Sequence, residues 1–170
     1  MSDEEKAAFE LAQKKDSRRT ADKARYAQYR SVLGAENVPK TLDEFQNVMY
    51  NGGEEAERLK ELYRNTSWQV KSLENLTKGS VHRVAYEGTP NSVFDNIGDD
   101  GKVISRRYYG RTGKPRLDID LTDHNNPKLH KVVPHYHDWK ELQSGKVERS
   151  KGSDKPLELW HKIANKDILE

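Results

Sequence analysis

The sequence predicts an α+β protein: a helical N-terminal half followed by a small antiparallel β-meander domain with a closing C-terminal helix. Three observations predict it. Apolar residues recur at helical spacing through Leu76, and from Val81 they occur in short alternating runs punctuated by Gly, Pro and Asp. Leu157, Leu159, Trp160 and Ile163 then restore a helical pattern near the end. The expected organisation is a helical arm or linker region over 1–79 and a small α+β domain over 80–170.

The elements follow in order. Ser2 and Glu5 have the spacing of a capping box, and the Ala-rich run without Gly or Pro to Arg30 favours helix by propensity. Residues 1–31 carry eight Lys or Arg and six Asp or Glu against Phe9 and Leu11, so this helix cannot bury itself; Tyr26, Tyr29 and Leu33 dock its end. Gly34 and Pro39 break the run. Thr41 and Glu44 repeat the capping-box spacing before Leu42, Phe45, Val48 and Met49, which Asn51, Gly52 and Gly53 terminate. Glu54 opens a longer helix with Leu59, Leu62, Tyr63, Val70, Leu73 and Leu76 on one face, ending at Gly79. Asn65, Thr66 and Ser67 compete for main-chain hydrogen bonds and offer a point at which that run can split. Beyond Val81, the strands Phe94–Ile97 and Lys102–Tyr109 flank Gly98–Gly101, and a third strand follows Gly110–Gly113, giving two hairpins in series. In that third strand Leu117, Ile119 and Leu121 share one face while Arg116, Asp118 and Asp120 share the other. A further strand is expected around Val132–Trp139. Gly145, Ser150, Gly152 and Ser153 form a flexible link before the closing helix.

Composition bounds the function. The chain has 170 residues and 19.6 kDa, and Leu, Ile, Val and Phe total 33, or 19%. That fraction borders on the disordered class, but a net charge of only +2 does not complete the signature, so a modest core is concentrated somewhere. The absence of Cys excludes disulfides, thiolate metal sites and Cys nucleophiles. No apolar run approaches a membrane span, and the charged first 30 residues do not read as a secretory signal, so the expectation is a soluble, unexported chain without a membrane partner.

The informative chemistry lies in residues 106–139. Four of the six histidines, His124, His130, His135 and His137, fall within 14 residues. His135 and His137 are two apart, so on an extended segment both rings project from the same side, together with Trp139. Arg106, Arg107, Arg111, Lys114 and Arg116 supply charge-assisted donors suited to phosphate. Cleavage of RNA by its own 2′-hydroxyl needs a base, an acid and positive donors for the phosphorane oxygens. Imidazole serves as acid or base near neutral pH, and guanidinium meets the developing charge. A metal-free ribonuclease is therefore feasible. The competing chemistry is a divalent-metal site, because His135-x-His137 and Asp118-x-Asp120 each put a ligand pair on one strand face. Structural readings stand beside these. Asp118 and Asp120 suit a polar strand face paired with Arg116 or with an arginine of the neighbouring strand. The basic cluster suits a solvated hairpin edge. His82 and His161 are isolated and read as structural or exposed, and Tyr108, Tyr109, Tyr136 and Trp139 read as core, with an aromatic near basic residues able to stack a base.

Two stretches carry a resemblance, and together they span roughly half the chain. Tyr26-Ala-Gln-Tyr-Arg-Ser-Val-Leu-Gly34, with Val38-Pro-Lys-Thr-Leu-Asp-Glu-Phe-Gln46 and Tyr50, resembles the linker near the C-terminus of phage minor head proteins of the Mu protein F type. There it precedes a toxin-like or effector-like terminal domain. Arg106-Arg-Tyr-Tyr-Gly-Arg-Thr-Gly-Lys-Pro-Arg-Leu-Asp-Ile-Asp120 continues into His124, Asn126-Pro127, His130 and Pro134-His-Tyr-His-Asp-Trp139. This stretch is similar to terminal domains of phage and bacterial polymorphic toxins in its order of Tyr-Tyr, Gly-Lys, Asp-x-Asp and Pro-His-x-His-x-Trp. The resemblance implies a toxin-like nuclease of phage or prophage context, a metal-independent ribonuclease without cofactor, acting in the cytoplasm of a bacterial host or carried on a virion. Its implied partners are RNA rather than DNA and an immunity protein or a phage head or portal assembly. The residues carried over are His124, His130, His135, His137, Asp118 and Asp120. Within that reading His135 and His137 are the acid and base, and Arg106, Arg107 and Arg116 are the phosphate contacts. A noncatalytic phage structural or adaptor protein and a divalent-metal nuclease are the alternatives.

Overall fold

The Ser2 capping box forms, Ser2 Oγ accepting from the Glu5 amide and Glu5 accepting from the Ser2 amide, and the first helix follows from it. Residues 1–123, 128, 132–150 and 155–170 are described by a computed structural model of the chain. They fall into two compact units, Met1–Ser67 and Trp68–Glu170.

In the first unit the expected single helix is two, α1 (Asp3–Ser17) and α2 (Arg19–Leu33), because Arg18 leaves helical geometry at φ −104° and ψ 8°. α1 buries no residue, in keeping with its charge. α2 buries Tyr26, Tyr29 and Leu33 against Phe45 and Met49 of α3 (Leu42–Asn51), whose N-cap Thr41 accepts from the Glu44 amide. Tyr29 packs edge-on against Phe45 at 5.2 Å between centroids and stacks on Tyr63 at 4.0 Å, so three helices share one aromatic core. Asp22 is buried there too. Burial alone would raise its carboxyl, but hydrogen bonds from Tyr50 and Gln46 and the charges of Arg18 and Arg25 hold it below the ordinary value.

α4 (Gly53–Ser72) is continuous through Asn65, Thr66 and Ser67, with Thr66 buried. It does not reach Gly79. A 3₁₀ turn over Leu73–Asn75 ends it, and β1 (Leu76–Gly79) pairs in parallel with β2 (Val93–Ile97). The edge of β2 has main-chain groups to satisfy, and that tertiary demand overrides a helical spacing that continues only as far as Leu76. The two compact units meet inside α4, between Ser67 and Trp68.

The second unit is built on one sheet. β2, β3 (Val103–Tyr109), β4 (Pro115–Asp120) and β5 (His135–Glu141) pair antiparallel in sequence order. The far edge of β5 is shared by β6 (Val147–Arg149) and β7 (Lys155–Pro156). Gly145 is therefore the positive-φ residue of a β5–β6 hairpin and not part of a flexible link, while Gly152 and Ser153 lie outside the described residues. One sheet face presents Val93, Tyr108, Leu117, Ile119 and Tyr136, packed with Trp68, Leu73, Leu157, Trp160 and residues of the closing helices α5 (Leu159–Ala164) and α6 (Lys166–Leu169). The closing helix is thus two short ones.

α5 places His161 in this core, against Trp160 and Tyr136 with centroids 3.7 and 4.1 Å away. Its Nδ1 accepts from the Glu158 amide, and burial pushes the imidazole down to about 3. The unfolded chain takes up this proton below pH ~6.5 and the folded chain refuses it, so the associated stability is present above that pH and is lost as pH falls toward 3. Between pH 7 and 4 the unfolding free energy declines, and His161→Gln, which keeps an acceptor for the Glu158 amide, reduces that slope by up to ~1.4 kcal/mol per pH unit. Urea unfolding of both proteins across this range measures it.

Candidate functional site

The opposite face of the sheet carries Arg107, Asp118, Asp120, His135 and His137. Period-two alternation sends Asp118 and Asp120 of β4 away from Leu117 and Ile119, and His135, His137 and Trp139 of β5 away from Tyr136. The register then sets Asp118 opposite His137 and Asp120 opposite His135. Ser105 and Arg107 of β3 flank them, opposite Asp120 and Asp118 respectively.

The two aspartates have different environments. Asp118 is saturated by donors: Arg107 Nε and Nη2 reach its two oxygens at 2.8 and 2.9 Å in a bidentate pair, and Trp139 Nε1 and Arg149 Nη2 donate to Oδ2 at 3.1 and 2.9 Å. The indole of Trp139 also lies 4.8 Å from the Arg107 guanidinium carbon and 5.7 Å from that of Arg149. Asp120 instead faces imidazole. His135 Nε2 lies 3.1 Å and His137 Nε2 3.3 Å from the same carboxylate oxygen, Oδ2. The imidazoles meet edge-on, 4.9 Å between centroids. All three residues are buried, His135 fully and His137 at 7% exposure. His135 is fixed from behind, its Nδ1 donating to the Val132 carbonyl at 2.8 Å. Asp120, His135 and His137 form the group among the described residues able to hold a metal ion, with one ligand atom of each within 4.8 Å of the others. Asp118 does not join it because its oxygens are committed to guanidinium.

The expected phosphate contacts separate. Arg106 is fully buried on the helix-covered face, where it spans both oxygens of Asp95 at 2.7 and 2.9 Å and both of Asp167 at 2.9 and 2.7 Å, with Asn165 Oδ1 at 3.1 Å. Burial opposes its charge, yet these carboxylates raise its pKa, and it has no surface to present to a phosphate. Arg107 is largely spent on Asp118 and on the Val84 and Ala85 carbonyls of the segment crossing this face. Arg116 is exposed and lies over the Trp68 ring at 3.9 Å. A register shift between β3 and β4 beside Tyr109 leaves Arg116 without an opposite residue and lets it turn that way. With Arg111, Lys114 and Trp139 it lines a pocket of about 540 Å³. Trp139 is common to both features, lining the pocket and donating to Asp118.

His124 and His130 lie outside the described residues. His82 is exposed and His161 is structural. Sequence reasoning did not identify Arg149, which sits on the three-residue strand β6, or the partners of Arg106. Asp95 had a readable signal, since the hairpin around Gly98–Gly101 sets it opposite Arg106, whereas Asp167 lies 61 residues away.

No family model matches the chain, and neither a curated protein nor a solved structure matches it. Nor is any helix of the described residues long and apolar enough to cross a membrane.

The contrast between the arginines is measurable. Arg106→Met strands Asp95 in the core and lowers unfolding stability by about 3–5 kcal/mol, whereas Arg116→Ala costs about 1 kcal/mol or less. Urea midpoints followed by tryptophan fluorescence separate the two.

Proposed function

We propose that the Trp68–Glu170 unit is a phosphodiester-cleaving effector domain that acts on RNA, with its reaction centre at Asp120, His135 and His137. The observation that carries this reading is the convergence of two imidazole Nε2 atoms on a single carboxylate oxygen at 3.1 and 3.3 Å. Arginines flank that face, and Trp139 connects it to a pocket bearing Arg111, Lys114 and Arg116. In the reaction considered the RNA 2′-oxygen attacks phosphorus and the bond to the 5′-oxygen breaks. One proton leaves the 2′-hydroxyl and one reaches the 5′-oxygen. The basic, aromatic-lined pocket suits a phosphate and a stacked base beside the reacting bond.

Two chemistries use such a group: proton transfer by the imidazoles themselves, as the spacing of His135 and His137 first suggested, or a divalent ion that activates oxygen. The commitment of His135 Nδ1 to a main-chain carbonyl favours the second. The resemblance of residues 26–50 and 106–139 to phage minor head and polymorphic toxin sequences supports a phage or prophage setting, in the bacterial cytoplasm or on a virion. An immunity protein or a head or portal assembly is the partner that setting supplies.

The noncatalytic adaptor has one observation in its favour, the burial of His135, which suits a cross-strand polar pair that only joins β4 to β5. Incubation of the full chain at micromolar concentration with total RNA and with DNA, with Zn²⁺, Mn²⁺, Co²⁺ or Mg²⁺ supplied and in parallel with chelator, decides between them. RNA is expected to be cut and DNA spared, and the His135→Ala, His137→Ala double variant, checked for folding by circular dichroism, is expected to lose at least ~10²-fold in rate. Intact RNA after incubation with folded wild-type protein leaves the adaptor.

A further inference from the structure

We infer that Asp120, His135 and His137 hold a first-row divalent metal ion through Asp120 Oδ2 and the two Nε2 atoms, an inference that rests on the same three residues as the proposed reaction centre. The orientation of His135 carries it. A carbonyl oxygen only accepts, so the 2.8 Å contact to Val132 requires the proton on His135 Nδ1. In the neutral ring Nε2 then carries a lone pair, and that lone pair points at a carboxylate oxygen 3.1 Å away. Two acceptors face each other in a buried place where water cannot screen them, unless a cation or a second proton lies between them. This is the arrangement of a metal-binding histidine, held by a main-chain carbonyl through one nitrogen and offering the other to the ion.

Dimensions and charge agree. Ligands at ~2.1 Å from an ion stand ~3.0 Å apart in an octahedral arrangement and ~3.4 Å apart in a tetrahedral one. The observed edges from Asp120 Oδ2 are 3.1 and 3.3 Å, and one ligand atom of each residue lies within 4.8 Å of the others, so binding an ion draws the two imidazoles together. One carboxylate and two neutral imidazoles carry a single negative charge, which a divalent ion reverses. Two nitrogen donors select Zn²⁺, Mn²⁺ or Co²⁺ over Mg²⁺ or Ca²⁺, and a set of three ligands among the described residues is the number that catalytic sites use. The sequence spacing paired Asp118 with Asp120 as ligands; the geometry retains only Asp120, since Asp118 is bound to Arg107 and Arg149.

The test is direct binding to the full chain after removal of metal with chelator and dialysis. Zn²⁺, Mn²⁺, Co²⁺ and Mg²⁺ are added separately, and bound ion is counted by elemental analysis. One Zn²⁺ or Co²⁺ per chain is expected with Kd tighter than ~10 µM, with Mg²⁺ much weaker. The Co²⁺ form should show ligand-field absorption, and the His135 Nε2 resonance should move on Zn²⁺ addition while Nδ1 keeps its proton. Asp120→Asn and His137→Ala should each weaken binding by more than the ~10–100-fold that loss of an orienting partner costs. The wild-type spectra keep the question open to refutation even if both variants unfold. Absence of stoichiometric binding by Zn²⁺, Mn²⁺ and Co²⁺ overturns the inference, as does a His135 ring found doubly protonated on Asp120 with Zn²⁺ present. RNA cleavage persisting in saturating chelator overturns it while sparing the nuclease reading. Stoichiometric binding without RNA cleavage does the reverse.

Discussion

Two consecutive arginines on β3 set the terms for the rest of the second unit. Because strand side chains alternate, Arg106 and Arg107 leave the sheet on opposite faces, and each is charged in a place with little water. Arg106 is neutralised by Asp95 from β2 and Asp167 from α6, Arg107 by Asp118 from β4. A buried guanidinium with its donors filled is tolerable and one with a carboxylate removed is not. These pairs therefore fix the neighbours of β3 on both sides and tie the last helix to the sheet, and the apolar contacts of Tyr108, Leu117 and Ile119 pack within the frame they define.

The candidate site is a consequence of that frame. Arg107, joined by Arg149 and the indole of Trp139, satisfies Asp118 and withdraws it from its cross-strand neighbour His137. His137 then shares Asp120 with His135 across one strand pair. Four acidic or imidazole side chains on one face are thereby sorted into an arginine-bound aspartate and a separate carboxylate–dihistidine group. Trp139 belongs to both features, since it donates its N–H to Asp118 and forms part of the wall of the basic pocket.

Much of this was legible in the residues because it is local. The capping box at Ser2, the N-cap at Thr41, the glycine-bounded turns after Ile97 and Tyr109, and the alternation of Leu117 with Asp118 each depend on a few adjacent positions. Leu76–Gly79 reads as helix because the helical spacing of Leu73 and Leu76 runs up to it and four residues carry too little pattern of their own, and only the open edge of β2 decides. β6 was missed because three residues carry no period. In the site, alternation alone put His135 beside His137 and Asp118 beside Asp120. The β4–β5 register could not be read from the sequence, because β4 ends at Asp120 and β5 begins only at His135, too far apart for turn chemistry to set it. That register gives Asp120, and not the aspartate pair, to the histidines. Arg106 looked like a phosphate ligand because its carboxylate partner on α6 is distant in sequence.

The cost of the cluster bears on what it does. A carboxylate and two imidazoles occupy adjacent positions of paired strands where apolar side chains of similar volume would join β4 to β5 at least as well, since buried ionic groups recover little more than their desolvation. The other face of the same two strands shows that solution, with Ile119 directly opposite Tyr136. In the neutral form of His135 the ring nitrogen left over from its main-chain bond faces an anionic oxygen, which adds to the cost until a cation or a second proton is placed between them. A buried carboxylate–dihistidine group that is expensive as structure and adjacent to cationic side chains is what the proposed phosphate chemistry draws on, and the same expense is the argument against a purely strand-pairing role.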